Sequence, residues 1–167
     1  MLSNFKNKKK TNVQQEEQQF VVFSVGKEKF GVDVNQIKQV IPVMETTYIP
    51  NSPAFVKGVI NLRGDIIPII DLAGKLSLQR VEVDEEKKRI IIVELKDIQN
   101  VGMLVDNVTE MIRIDADEIS DAPDLVKAVH SDYIQGVAKV NNQLLILLNL
   151  NKVLTSEELI ELGNIEF

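Results

Sequence analysis

No cysteine occurs in the 167 residues, so the chain has no disulfide framework, no thiolate zinc site and no cysteine nucleophile. Such a chain fits a reducing cytosol. Histidine is almost as scarce. The only one, His130, is followed by Ser131 and Asp132, but adjacent strand or loop side chains point apart, so the tripeptide reads as a surface loop or cap and not as a triad. Long apolar runs are missing too: the longest, Leu144 to Leu148, is far short of the roughly 20 residues that span a bilayer. The lysines near the N-terminus have no apolar segment behind them, which excludes a secretory signal. The expectation is a soluble, cytoplasmic chain without direct membrane insertion.

Aromatic residues make up 5% of the chain and its formal charge is −6. Both count against a nucleic-acid reader, which would display aromatics on a basic face. The one basic cluster, Lys6, Lys8, Lys9 and Lys10, lies in a tail of low hydrophobicity, residues 1–18, which reads as disordered. The sequence holds no phosphate-cradling glycine loop, no dinucleotide fingerprint and no HExxH pair. Asp115, Asp117 and Glu118 lack both the full spacing and the glycine of a calcium loop. Nothing supplies a nucleophile with a base, so the chain reads as a non-enzyme with no cofactor and no metal ligands.

What is present is a duplication. Gly58 to Leu76, GVINLRGDIIPIIDLAGKL, aligns without a gap with Gly136 to Leu154, GVAKVNNQLLILLNLNKVL, at an offset of 78 residues. Gly58/Gly136, Val59/Val137, Leu72/Leu150 and Leu76/Leu154 are identical. In the first copy, apolar runs Val59 to Leu62 and Asp65 to Ile70 flank only Arg63 and Gly64, the pattern of a tight β-hairpin. An earlier segment echoes too: Phe30 to Ile41 lies over Val101 to Ile112 at an offset of 71, with Gly31/Gly102, Val34/Val105 and Ile41/Ile112 identical. The change of offset locates a seven-residue insertion near Ala116 to Ser131. A duplicated module is the simplest account.

The β-branched and aromatic run from Phe20 to Val25 predicts a buried strand, with Phe30 to Val34 as its hairpin partner. Asn35 can cap a short helix in which Ile37, Val40 and Ile41 share a face, ended by Pro42. Pro50, Asn51, Ser52 and Pro53 are turn chemistry before the central hairpin. Ser77 to Arg89, with its charged run from Glu82 to Arg89, reads as a solvated joint between the copies. Thr155 and Glu158 have capping-box spacing ahead of a short C-terminal amphipathic helix. The resulting fold class is mainly β, with two small barrels of about five strands each and a few short helices.

Two features point to binding. Ile37, Val40 and Ile41 cannot all face so small a barrel, which leaves either Ile37 or Val40 for a surface groove. Arg63 stands at a hairpin tip where the second copy has Asn141-Asn142, so the turn does not require arginine, and a planar five-donor side chain on a rigid tip suits a protein interface. Lys57 and the Pro50 to Pro53 loop would share that surface.

The strings Phe30 to Val34, Ile37 to Val40, Pro53 to Gly64 and Ile66 to Leu72 strongly resemble the CheW-type chemotaxis coupling (adaptor) proteins, and the resemblance runs from about Gln19 to Leu162. It implies an internal duplication folded as two SH3-like five-stranded β-barrel subdomains that share an apolar core. Within a domain spanning 19–167, subdomain one covers about 32–88 and subdomain two about 89–150, with the first strand and the C-terminal helix completing the pair. It further implies a non-catalytic adaptor bridging two partners, the cytoplasmic tips of methyl-accepting chemoreceptors and the regulatory domain of the histidine kinase CheA. Such an adaptor would be monomeric alone, recruited through receptors to the inner face of the membrane, and assembled in arrays. By position, the receptor-binding residues would be Ile37, Gln39, Val40, Arg63, Val108 and Met111, and the kinase-binding ones Pro50, Asn51, Lys57 and Gly58. The chain departs from the family pattern at Ala73, where arginine is usual, and at Gln39, where an acidic residue is common. Alternative readings are a coupler of a twitching, gliding or CheV-like pathway, or a small barrel that binds a metabolite or nucleic acid.

Overall fold

The structure, a computed structural model, describes residues 17–95, 99–121 and 132–165. Most of the expected tail and the pair His130 and Ser131 lie outside these residues; of the tail, Glu17 and Gln18 belong to the first strand.

In chain order the first half contains β1 (Glu17–Val25), β2 (Glu28–Asp33), β3 (Ile37–Pro42), β4 (Val56–Leu62), β5 (Asp65–Asp71) and a one-turn helix α1 (Leu72–Lys75). The second half contains β6 (Arg89–Leu95), β7 (Gln99–Val105), β8 (Asn107–Asp115), β9 (Ile119–Ser120), β10 (Ile134–Val140), β11 (Gln143–Leu148) and α2 (Ser156–Gly163). The strands form two sheets, ordered β3-β6-β7-β5-β4 and β8-β1-β2-β11-β10-β9. In each sheet the two end strands are neighbours in the chain, so each sheet closes on itself. The segment after β3 returns to the outer edge of β4, where Thr47 and Val59 exchange two backbone hydrogen bonds of 2.8 Å, and β9, directly after β8, pairs with β10.

The two copies are interleaved. The first two strands of each copy cross into the barrel built around the other copy's hairpin: β6 and β7 pair with β3 and β5, while β1 and β2 pair with β8 and β11. The sheets therefore do not divide the chain near residue 89, and residues 89–105 belong with the first hairpin. The crossing strands join by parallel pairing, Ile69 beside Gly102 and Leu147 beside Gly31. Both glycines let the neighbouring side chains pack closely there. A Cβ at Gly102 would stand 2.6 Å from methyl groups of Ile69 and Ile90, and one at Gly31 would stand 2.9 Å from Leu147.

Interleaving buries the central strands on both faces, which is why they read as continuous apolar runs rather than alternating ones. Along β6, Ile90 and Ile92 fill the interior of barrel one, while Ile91, Val93 and Leu95 face a core shared by the barrels. On β11, Leu145 and Leu147 fill barrel two and Leu148 enters the shared core. Among the described residues the shared core holds twenty buried side chains, against seven and six in the barrel interiors. Neither barrel could therefore keep its buried surface alone. The repeated leucines belong to this core: Leu72 with Leu150, and Leu76 with Leu154.

Both hairpins turn through two residues in left-handed conformation, Arg63 and Gly64 (φ 52° and 91°) and Asn141 and Asn142 (φ 51° and 63°), the backbone that matches strand twist. One element differs from expectation. Residues 37–42 form strand β3, not a helix; only Val34–Gln36 makes a 3-10 turn before it. The C-terminal capping box is formed, with the Glu158 amide donating to Thr155 Oγ1 at 3.1 Å and the Thr155 amide donating to Glu158 Oε1 at 2.9 Å.

Leu162 docks α2 into the shared core, and Lys75 Nζ on α1 meets Glu158 Oε2 at 2.9 Å. Burial alone would raise the Glu158 carboxyl, but the Thr155 amide and the Lys75 ammonium together hold it below its ordinary value. A depressed carboxylate stabilises the fold above its unfolded value, about 4.3, and loses that contribution as pH falls through the lower folded value. Glu158→Gln is accordingly expected to cost about 1 kcal/mol near neutral pH. Wild-type and variant stabilities, measured by denaturant unfolding at a series of pH values, should converge as the pH falls through the lowered folded value.

Candidate protein-binding surface

Bulges in the two edge strands β3 and β8 build the surface. In the β3–β6 register Ile37 faces Val93 and Val40 faces Ile91, with the register shifting between Ile37 and Gln39. Val93 and Ile91 are two apart and both point into the shared core. The extra residue in β3 therefore turns Ile37 and Val40, three apart, onto one face. The second copy repeats the arrangement. Val108 faces Phe23 and Met111 faces Val21, with the shift opposite Val22 and Phe23, so Val108 and Met111 also share a face. At the offset of 71, Ile37 matches Val108 and Val40 matches Met111. The bulge residues correspond as well. Lys38 reaches Glu94 Oε2 at 2.9 Å and Asn100 Oδ1 at 3.2 Å, and the Thr109 hydroxyl donates to the Val22 carbonyl at 3.2 Å.

Each pair has an anchored member and an open one. Ile37 and Val108 are half-buried against the shared core, whereas Val40 is 38% and Met111 57% exposed. Gln39 does not join them. It stands across from Ile92, whose side chain points into barrel one, on the opposite face of the strand.

Arg63 is exposed at its hairpin tip, and the turn beneath it is tied by the Gly64 amide donating to Asn61 Oδ1 at 2.9 Å. Because β3 is antiparallel to β6, β6 to β7, and β7 is parallel to β5, strands β3 and β5 start at the same end of barrel one. Arg63, just before β5, thus shares that end with Ile37. The same chain of pairings in barrel two brings the Asn141-Asn142 tip to the end where Val108 lies.

The residues expected to face the kinase divide differently. Pro50 and Asn51 are exposed in a tight turn, closed by the Ser52 hydroxyl donating to the Ile49 carbonyl at 2.8 Å. Lys57 is exposed on β4 at a register shift between Val56 and Gly58. Gly58 is buried and presents nothing to a partner: a Cβ there would lie 2.6 Å from the Thr47 carbonyl oxygen. Its repeat mate Gly136 is closed in the same way by the Ser120 carbonyl oxygen, at 2.8 Å.

Sequence reasoning missed two contributors to this side. Tyr48 is 67% exposed just before the Pro50 turn; the available signal was an aromatic residue in a stretch of turn chemistry. The end of α2 also comes to the turn, where Glu161, Asn164 and Ile165 line an open cleft of about 660 Å³ with Ile49 to Pro53. Ala73, where the family pattern has arginine, is buried in the shared core. Among the described residues no group of acidic, histidine or cysteine side chains could hold a metal, and no helix is long and apolar enough to cross a membrane.

The CheW-like domain family model matches residues 19–158. The chain is 35% identical over 148 residues to the chemotaxis protein CheW of Klebsiella aerogenes, covering 89% of this chain and 88% of that protein. It is 34% identical over 140 residues to CheW of Bacillus subtilis, covering 84% and 88%. The crystal structure of the scaffolding protein TtCheW from Thermoanaerobacter tengcongensis superposes with a TM-score of 0.77 at 34% identity, covering 84% of this chain and 90% of that one. Family model, relatives and solved structure agree over most of the chain, and the chain belongs to the CheW family of chemotaxis coupling proteins, scaffolds that carry no catalysis.

Proposed function

We propose that this coupling protein bridges the cytoplasmic tips of methyl-accepting chemoreceptors to the regulatory domain of the histidine kinase CheA. The receptor takes the surface formed by Ile37, Val40, Val108, Met111 and Arg63. The kinase takes the end of barrel one that displays Pro50, Asn51 and Lys57, with Gly58 acting beneath it as a packing residue. One observation carries the receptor assignment: two repeat-equivalent edge strands are bulged so that each turns an apolar side chain, Val40 or Met111, outward beside a partner anchored in the shared core. Exposed apolar residues placed twice by the same backbone device are suited to a helical partner, whose apolar residues recur on one face. The protein itself is a monomer brought to the inner face of the membrane by the receptor, and it transmits signal by geometry rather than chemistry. Each interface would be modest in area.

Size-exclusion co-elution with the CheA regulatory domain, and separately with a receptor cytoplasmic fragment, tests this directly. A shift with both partners supports the bridge, and a folded protein that shifts with neither removes it. Within the receptor surface, Arg63→Glu is expected to weaken fragment binding at least tenfold and to move the melting temperature by no more than about 2 °C. Unchanged affinity in a titration followed by anisotropy would take Arg63 out of the interface.

A further inference from the structure

The open cleft between the Pro50 turn and the end of α2 has apolar walls: Ile49, Pro50 and Pro53 on the turn, and Ile165 on the chain that leaves the helix. Ile49, Pro53 and Ile165 are half-buried and Pro50 is exposed, so apolar surface stays open to water there. At about 660 Å³ the cleft has ample room for an aromatic ring. Ile165 is the last described residue. Its amide donates to the Leu162 carbonyl at 3.3 Å, and its side chain packs against the shared core, which holds the chain at the cleft as it leaves α2. The sequence continues with Glu166 and Phe167. Apolar, acidic, apolar is the order that puts Ile165 and Phe167 on one side of an extended segment and Glu166 on the other. Two residues span at most about 7 Å, so Phe167 stays within reach of the walls that Ile165 already lines.

We infer that Phe167 seats in this cleft, so that the segment after α2 straps the helix to the Pro50 turn. A phenylalanine ring is a large apolar group, and placing it against Ile49, Pro50, Pro53 and Ile165 removes both surfaces from water. The strap also acts on the turn. The turn is closed from within by the Ser52 hydroxyl, which donates to the Ile49 carbonyl at 2.8 Å. The ring adds an anchor from α2, and Pro50 and Asn51 are then held in one arrangement before a partner arrives. This bracing, unlike the seat itself, rests on the kinase reading above.

The chain has no tryptophan, so Phe167→Trp in the full chain places a single fluorophore in the cleft. Its emission is expected to be blue-shifted and shielded from acrylamide. Glu166→Trp, on the other side of the segment, should emit like tryptophan in water. Phe167→Ser should lower the melting temperature by about 2–4 °C and weaken binding of the CheA regulatory domain about threefold, as a contact turn loses its preorganisation. A water-exposed fluorophore at 167, or equal shielding at 166 and 167, overturns the inference. Shielding that disappears on dilution assigns the contact to a second copy of the chain and overturns it too. Shielding at 167 with unchanged kinase affinity in Phe167→Ser keeps the seat and removes the bracing. A wild-type protein that binds no kinase domain removes the kinase reading, and the fluorescence still decides the seat.

Discussion

Gly58→Val is expected to lower stability by about 3 kcal/mol, and with it the melting temperature by roughly 6–12 °C. The reason lies in how barrel one closes. Most of its strands are joined by long ladders, but its seam depends on a single bridge in which Thr47 and Val59 exchange two backbone hydrogen bonds of 2.8 Å. Gly58 lies directly beneath that bridge. Even a Cβ would sit 2.6 Å from the Thr47 carbonyl oxygen and 2.7 Å from the Thr46 methyl group, and a backbone carbonyl cannot rotate aside as a side-chain end can. Relief requires the returning segment to lift off β4, which exposes the bridge amides and uncovers Val59 and Ile60. Thermal and denaturant unfolding measure the cost directly. A valine tolerated within 1 kcal/mol would mean that the seam closes in some other way.

The same glycine shows how far the sequence could be read. Gly58 and Gly136 were visible as identities in a duplication, and the hairpins were visible because turn chemistry is local: Arg63-Gly64 and Asn141-Asn142 specify their own backbone. The capping box at Thr155 and Glu158 was equally local, and it formed as its spacing predicts. Strand β3 was misread for a definite physical reason. Ile37 and Val40 share a face at a spacing of three, which is helical periodicity, but the spacing comes from a bulged strand with an extra residue between them. A period count cannot separate the two. What could have done so is the repeat, since the same spacing at Val108 and Met111 follows a stretch, Ile91 to Val105, rich in strand-forming residues.

Interleaving of the copies left no local trace. Which strand crosses to which barrel is decided by pairing between residues far apart in sequence, such as Ile69 with Gly102. It surfaces only indirectly, as apolar runs that refuse to alternate. Of the residues that the family resemblance assigned to binding, Val40, Met111 and Arg63 are exposed. Gln39 is half-buried and Gly58 buried, which the sequence did not show, because strand face and burial depend on register, and register is not written in any single segment.

Val40→Asp is expected to reduce affinity for a receptor fragment by roughly 30- to 100-fold while the protein stays folded. Val40 is 38% exposed, so in the unbound protein a carboxylate at this position remains hydrated and costs less than about 1 kcal/mol. In the complex the carboxylate would be pressed against the apolar face of the partner helix, where an unpaired charge is expensive. The repeat mate sharpens the expectation: Met111→Asp, on the more exposed position of barrel two, should act in the same direction with at most a similar effect. Ile37→Asp is a poorer probe, because Ile37 packs against the shared core and its replacement combines lost stability with lost binding. Affinity for the CheA regulatory domain supplies the control. If Val40→Asp weakens receptor and kinase binding alike, with an unchanged unfolding curve, the two partners use one surface and the division drawn between the bulged edges and the Pro50 turn is wrong. If only receptor binding falls, the bulge is the device that makes this barrel pair an adaptor, since without it Val40 would turn to the other face of β3.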